Sequence, residues 1–149
     1  MPATRISGVA YEKNWGSMRD LHARTVFFAK DAQRSLSFYT ETLGFSLDWN
    51  YEEDGRAFVF QVSMLGLQLI LNQIEQRTED RAGHGRVFIG IETDQLEAFR
   101  RHIDDNGIET EVVGWGEPTL LIRDLDGNEI FFWLPVKERA TLKIGQGWP

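Results

Sequence analysis

Two stretches of this chain repeat each other in the order of their elements. The first opens with "RTVFFAKD", a run of β-formers that ends at Asp31, a good helix N-cap. "AQRSLSFYTETLG" follows, with Ala32, Leu36, Tyr39 and Leu43 at helical spacing and Gly44 as a stop. Three strand-like segments come next: "FSLDWNY", "RAFVFQVSM" and "LQLILNQ", with Asp54-Gly55 as one of the turns between them. A charged linker, "IEQRTEDRAGHG", separates this unit from the second. The second unit has "RVFIGIETD", ending at Asp94, then "QLEAFRRHIDDNG", then "IETEVVGW", "TLLIRD" and "EIFFWL". Asp31 to Gly44 and Asp94 to Gly107 are both thirteen residues, and the offset between the units is 63. Such self-similarity is the mark of a duplicated unit. The chain therefore divides into an arm (1–23), a first βαβββ module (24–73), a linker (74–84), a second module (85–135) and a tail (136–149).

Strand parity says what each face meets. Side chains alternate across a strand, so Leu67, Leu69 and Leu71 share one face and Gln68, Ile70 and Asn72 the other. In the last strand Ile130, Phe132 and Leu134 oppose Glu129, Phe131 and Trp133. In the first, Arg24, Val26 and Phe28 oppose Thr25, Phe27 and Ala29. The uniformly apolar set belongs under a helix, and the mixed set is left open. The expected fold is α+β: two βαβββ modules in tandem, forming curved mixed sheets around a cleft.

Composition limits what such a fold can serve. A net charge of −7 argues against phosphate contacts with nucleic acid. The absence of cysteine removes disulfides, thiolate nucleophiles and thiolate metal sites. No apolar run approaches the roughly 20 residues of a membrane span, and no secretory segment opens the chain, so a cytoplasmic protein is expected by default. No Ser-His-Asp arrangement, phosphate loop or nucleotide fingerprint is present.

The paired modules carry two further signatures. One is Asp31, Ser35, Phe38, Tyr39, Leu43, Gly44 and Phe45 around the first helix. The other is Asp124, Leu125, Asp126, Gly127 and Asn128 before the last strand, with Leu125 where a Pro is usual. On these residues the stretch 24–134 resembles the vicinal oxygen chelate superfamily: glyoxalases, bleomycin-resistance proteins and extradiol dioxygenases. The resemblance implies metal ligands at matching points of the first and last strand of each module. Counting from the capping Asp and the turn Gly, those points here are Arg24, Ile70, Val87 and Phe131, none of which binds a divalent ion. His22, His84 and His102 show no ligand spacing and read as solvated or capping histidines.

No metal and no cofactor are therefore expected. The bleomycin-resistance branch, dimers that hold a drug without converting it, is the nearest match that remains. The expected ligand is a small organic molecule, aromatic or cationic, and the expected assembly a homodimer. Its site would draw on Arg24, Phe28, Trp49, Gln68, Trp115, Glu129, Phe131 and Trp133. Arg24 would either meet a carboxylate or carbonyl of the ligand or pair with Glu129 or Asp124. Two other readings compete. One is a lyase, isomerase or dioxygenase-like enzyme with a misplaced ligand set or acid–base chemistry at Glu129. The other is a module whose arm, with Trp15 and Met18, and tail, with Trp148, bind a partner protein.

Overall fold

A computed structural model describes residues 21–149. In the first module β1 (Thr25–Ala29) leads into α1 (Ala32–Ser37), continued by a wider π-helical turn at Phe38–Thr42. Then come β2 (Ser46–Glu53), β3 (Arg56–Met64) and β4 (Leu67–Gln73). In the second, β5 (Arg86–Gly90) leads through a short 3-10 turn (Thr93–Gln95) into α2 (Leu96–Asp105). β6 (Glu111–Trp115), β7 (Glu117–Arg123) and β8 (Glu129–Trp133) follow, then a short helix α3 (Val136–Arg139). The two sheets are ordered β1-β4-β3-β2 and β5-β8-β7-β6. In each, the first and last strands pair in parallel and the rest antiparallel. This is the expected pair of open, mixed βαβββ sheets. Residues 1–20, with Trp15 and Met18, lie outside the described residues.

The helix stops fall where expected: Gly44 and Gly107 both take positive φ, 70° and 58°. The starts differ. Asp31 caps α1 by accepting from the Arg34 N–H at 3.1 Å. Asp94 does not cap α2. The cap is Glu92, in a reciprocal capping box with Gln95 that opens the 3-10 turn. The two helices also differ in winding. Buried Ser35 and Tyr39 of the first helix correspond to buried Phe99 and Ile103 of α2, an offset of 64. The π turn holds one residue more than a regular turn, which brings the offset back to 63 at the glycines.

Parity holds on β1, β4 and β8, whereas bulges between Leu47 and Trp49 and between Tyr51 and Glu52 shift it in β2. Phe27, Leu69, Leu71, Phe60 and Val62 lie beneath α1, and Ile130, Phe132 and Leu120 beneath α2, all at most 2% exposed. The helix-covered sides of both modules merge into one apolar cluster.

The turn before β8 joins the modules. Asp124 Oδ1 accepts from the backbone N–H of Asp126 and Asn128, both at 2.9 Å. Its Oδ2 accepts from Asn128 Nδ2 at 3.0 Å and from the Tyr39 hydroxyl of the first module at 2.9 Å. Asn128 Nδ2 also donates to the Phe28 carbonyl, and Asn128 Oδ1 accepts from the Gly85 N–H at 2.8 Å. Lys30 N–H donates to Asp126 Oδ1 at 3.0 Å. The linker passes so close that only glycine fits twice. A Cβ on Gly83 would lie 2.1 Å from the Asp126 carbonyl oxygen, and one on Gly85 2.4 Å from the Phe27 ring. The motif that reads as a hairpin turn in the sequence is thus a clasp between modules.

Candidate functional site

The eight candidate residues fall on the open faces of the two sheets, four on each. On the first sheet, β1 and β4 place Arg24 beside Gln68, and Arg24 Nε donates to Gln68 Oε1 at 3.2 Å. Among the described residues Gln68 is a partner of Arg24, where pairing with Glu129 or Asp124 was one expectation. Phe28 lies on the same face, with the Arg81 guanidinium 5.6 Å from its ring centroid. Trp49 is the cross-strand partner of Gln61, and both are buried. Gln61 Nε2 and Ser63 Oγ donate to the two oxygens of Asp48, at 2.9 and 2.8 Å. This leaves Gln61 Oε1 and Trp49 Nε1 buried with no hydrogen-bond partner among the described residues.

On the second sheet the aromatics touch. Phe88 is the hub, projecting from β5 directly opposite Phe131 of β8. Its ring stacks on Phe131 at 4.9 Å and 6° between planes, and on Trp115 at 4.1 Å. Trp133 meets it edge-on at 4.9 Å, with its Nε1 donating to Thr119 Oγ1 at 3.1 Å. Offset and edge-to-face contacts are the favoured geometries for such rings. Phe131 is buried under this layer, whereas Trp115 remains 49% and Trp133 41% exposed. Along one edge Glu129 pairs with Arg86 at 2.8 Å and with Arg123 at 3.8 Å, and the Arg86 guanidinium lies 5.6 Å from the Phe131 centroid. Glu129 thus stands between two guanidinium groups, its Oε1 hydrogen-bonded to Arg86 and its Oε2 3.8 Å from Arg123.

Two residues of this face escaped the sequence reading: Phe88 and Arg86. The rigid offset of 63 set Val87 against Arg24. Val87 faces the helix side, packed on the core. The counterpart of Arg24 is Arg86, which sits beside Glu129 as Arg24 sits beside Gln68. Alternation in "RVFIGIE" carried the signal, since Val87, Ile89 and Ile91 form one apolar set and Phe88 opposes it.

Residues that would hold the family's metal do not fit one. Among the described residues no three His, Cys, Asp or Glu side chains come together. His102 is occupied elsewhere, with Nε2 2.8 Å from the Leu43 carbonyl at the end of the first helix. In the tail, Trp148 stacks on Phe99 at 5.5 Å and its Nε1 donates to Glu138 Oε1 at 2.9 Å. Its indole packs against the core, partly buried, with the Arg100 guanidinium 4.2 Å from its ring centroid. No helix of the described residues is long and apolar enough to cross a membrane.

Comparison with known proteins agrees with this architecture. The sequence model of the Glyoxalase/Bleomycin resistance protein/Dioxygenase superfamily matches residues 22–132. No curated protein matches the chain. Among solved structures, TnmS3, an antibiotic binding protein from Streptomyces sp. CB03234, is 21% identical with a TM-score of 0.54. That likeness covers 80% of this chain and 99% of TnmS3. The bleomycin-binding protein of Streptomyces verticillus, solved with copper(II)-bleomycin, is 22% identical with a TM-score of 0.53, over 80% of this chain and 99% of that one. TioX from Micromonospora sp. ML1 is 16% identical with a TM-score of 0.52, over 76% and 97%. At these identities the structures share the fold alone. The match over most of its length settles the family: this chain belongs to the glyoxalase/bleomycin resistance protein/dioxygenase superfamily.

Proposed function

We propose that the protein binds a small organic molecule with a planar aromatic part and releases it unchanged, without a metal. One observation carries this reading: the cluster of near-parallel Trp115, Phe88 and Phe131 rings in mutual contact, flanked by Trp133, with two half-exposed indoles on an open sheet face. A ring laid on that surface gains stacking energy beyond area burial, about 0.5–1.5 kcal/mol per aromatic pair. The polar edge favours an aromatic ligand over a cationic one. Both Glu129 oxygens already face guanidinium groups, and Arg86, with its side chain 61% exposed, offers its remaining donors to a carboxylate or carbonyl. Arg24, Gln68, Phe28 and Trp49 lie on the open face of the first sheet, and we count them as its share of the site. Two proteins of the same fold are named for antibiotic and bleomycin binding, which is consistent with this reading.

We also infer a homodimer and a cytoplasmic setting. Val26, Trp115 and Trp133 leave apolar surface on the open faces, and such surface invites a second copy. Light scattering at micromolar concentration should give twice the chain mass, and the monomer mass would refute the dimer.

Tryptophan quenching across a panel of planar aromatic compounds tests the binding. Trp115→Ala and Trp133→Ala should each weaken a hit by about 1–3 kcal/mol. Ligand recovered by denaturation after incubation with excess protein should return with its mass unchanged. A new product would make the protein an enzyme, and unaltered affinity in both variants would place the site elsewhere.

A further inference from the structure

The two modules meet through equivalent elements on two sides, and among the described residues only one side is filled. On the filled side the β7–β8 turn of the second module reaches the first helix through the Asp124–Tyr39 hydrogen bond. On the other, the β3–β4 turn of the first module approaches α2. Its central residues are Leu65 and Gly66, which carry no side-chain donor or acceptor to reach across. A cleft of about 570 Å³ lies there. Its walls are Met64, Leu67, Ile89, Ile91, Phe99 and Phe132, so its floor is the core itself. Leu65 stands at the mouth, 60% exposed and held at φ +49°.

The polar groups at the mouth decide what fits. They are Asp94 and Gln95. Gln95 is committed, since its Oε1 accepts from the Glu92 N–H at 2.9 Å. Among the described residues that line the cleft, Asp94 is the only one with a charged side chain, and none is a lysine or arginine. A volume of this size falls in the range of small-molecule sites, which combine apolar walls with a few polar groups. We propose that this cleft is a second ligand site, separate from the aromatic face, for a small amphiphilic cation. An alkyl or aryl body enters between Leu65 and Ala98, and an ammonium head stays at the mouth beside Asp94. An anionic amphiphile of equal length meets the same walls and a repelling carboxylate in a chain of net charge −7.

The test uses the whole chain with n-octyltrimethylammonium and octanoate as probes, both below their micellar concentrations, followed by amide NMR shifts. The cation should shift Leu65, Gly66, Gly90 and Ala98. Octanoate should bind roughly fivefold more weakly, the size expected for one solvent-facing charge acting oppositely on the two probes. Asp94→Asn should erase that preference. Ala98→Trp, at an exposed helix position, should fill the cleft and abolish the shifts. Leu65→Asn keeps the turn, because Asn tolerates positive φ, and should weaken both probes; it decides the matter should Ala98→Trp fail to fold. Equal binding of the two probes, a preference that survives Asp94→Asn, or undiminished shifts in a folded Ala98→Trp or Leu65→Asn protein would overturn the proposal. Ligands of the aromatic face move the Trp115 and Trp133 indole signals instead, so failure of one site leaves the other reading intact.

Discussion

Tyr39 and Asp124 show how a single hydrogen bond ties burial to pH. Burial pushes the Asp124 carboxyl above the usual carboxylate range, and the donors from Asn128, Tyr39 and the turn backbone pull it partway back. Burial likewise pushes the Tyr39 hydroxyl well above its ordinary value, with the Asp124 charge adding to it, so Tyr39 stays a donor. A buried acid with a raised pKa holds its proton more tightly folded than unfolded. Its contribution to stability is therefore present at low pH and falls as pH rises through the carboxylate range. Tyr39→Phe removes a donor to the anion and raises the pKa further. The variant should lose about 1.5–3 kcal/mol at pH 7, the range for a hydrogen bond to a charged group. The loss should shrink as pH drops below the folded pKa, because the protonated carboxyl needs that donor less. Urea melts at pH 7 and pH 4 check this, and an equal loss at both would show that Asp124 is not the partner that matters. At the ligand face, Phe88→Ala should reduce binding of a quenching ligand at least as much as Trp133→Ala, because Phe88 supports both indoles. Nothing in composition singles Phe88 out. Its signal lies only in the alternation of its strand, where Val87, Ile89 and Ile91 form the opposite set.

Whole elements were more legible than the register between them. The succession of strands and helices along the chain, and the side of each sheet under a helix, followed from period-2 and helical spacing, because burial of one face is a strong and repeated signal. The register between modules was not legible, since three local choices shift it. The π turn lengthens the first helix by a residue, the 3-10 turn moves the second cap from Asp94 to Glu92, and β5 starts one step off the count. Each is a hydrogen-bond choice with little trace in the pattern of apolar residues. Local rules do make a prediction at Leu125, the one departure from the family motif. Gly127 N–H donates to the Asp124 carbonyl at 3.2 Å, so Leu125 is the second residue of a four-residue turn, where Pro is favoured. Leu125 is half exposed, so its side chain contributes little packing. Leu125→Pro should raise stability by about 0.4–1 kcal/mol by restricting the unfolded chain. A lower melting temperature would mean that the backbone at residue 125 does not match proline.

Taken whole, the molecule has two devices that could couple its modules, and they predict different unfolding. One is the shared core, where Phe27, Tyr39 and Leu71 of the first module and Phe99, Ile130 and Phe132 of the second form one apolar cluster. The other is the polar clasp built on Asp124 and Asn128. Asn128 is fully buried and joins Gly85, Phe28 and Asp124. Asn128→Ala leaves the Gly85 N–H and the Phe28 carbonyl without their side-chain partner, at about 1–3 kcal/mol for each group left unsatisfied. The core contacts stay, because Asn128 is not one of them. The variant should therefore unfold at lower urea in a single transition of unchanged slope, with far-UV dichroism and tryptophan fluorescence coincident. The fluorescence reports both halves, through Trp49 in the first sheet and Trp115 and Trp133 in the second. If the clasp were the main coupling, the two probes would separate once it is cut, with a stable intermediate in which one module has melted. Coincident curves in the variant would assign the coupling to the core. The clasp would then serve to set the angle between the sheets, on which the distance between the Arg24–Gln68 pair and the Phe88 stack depends.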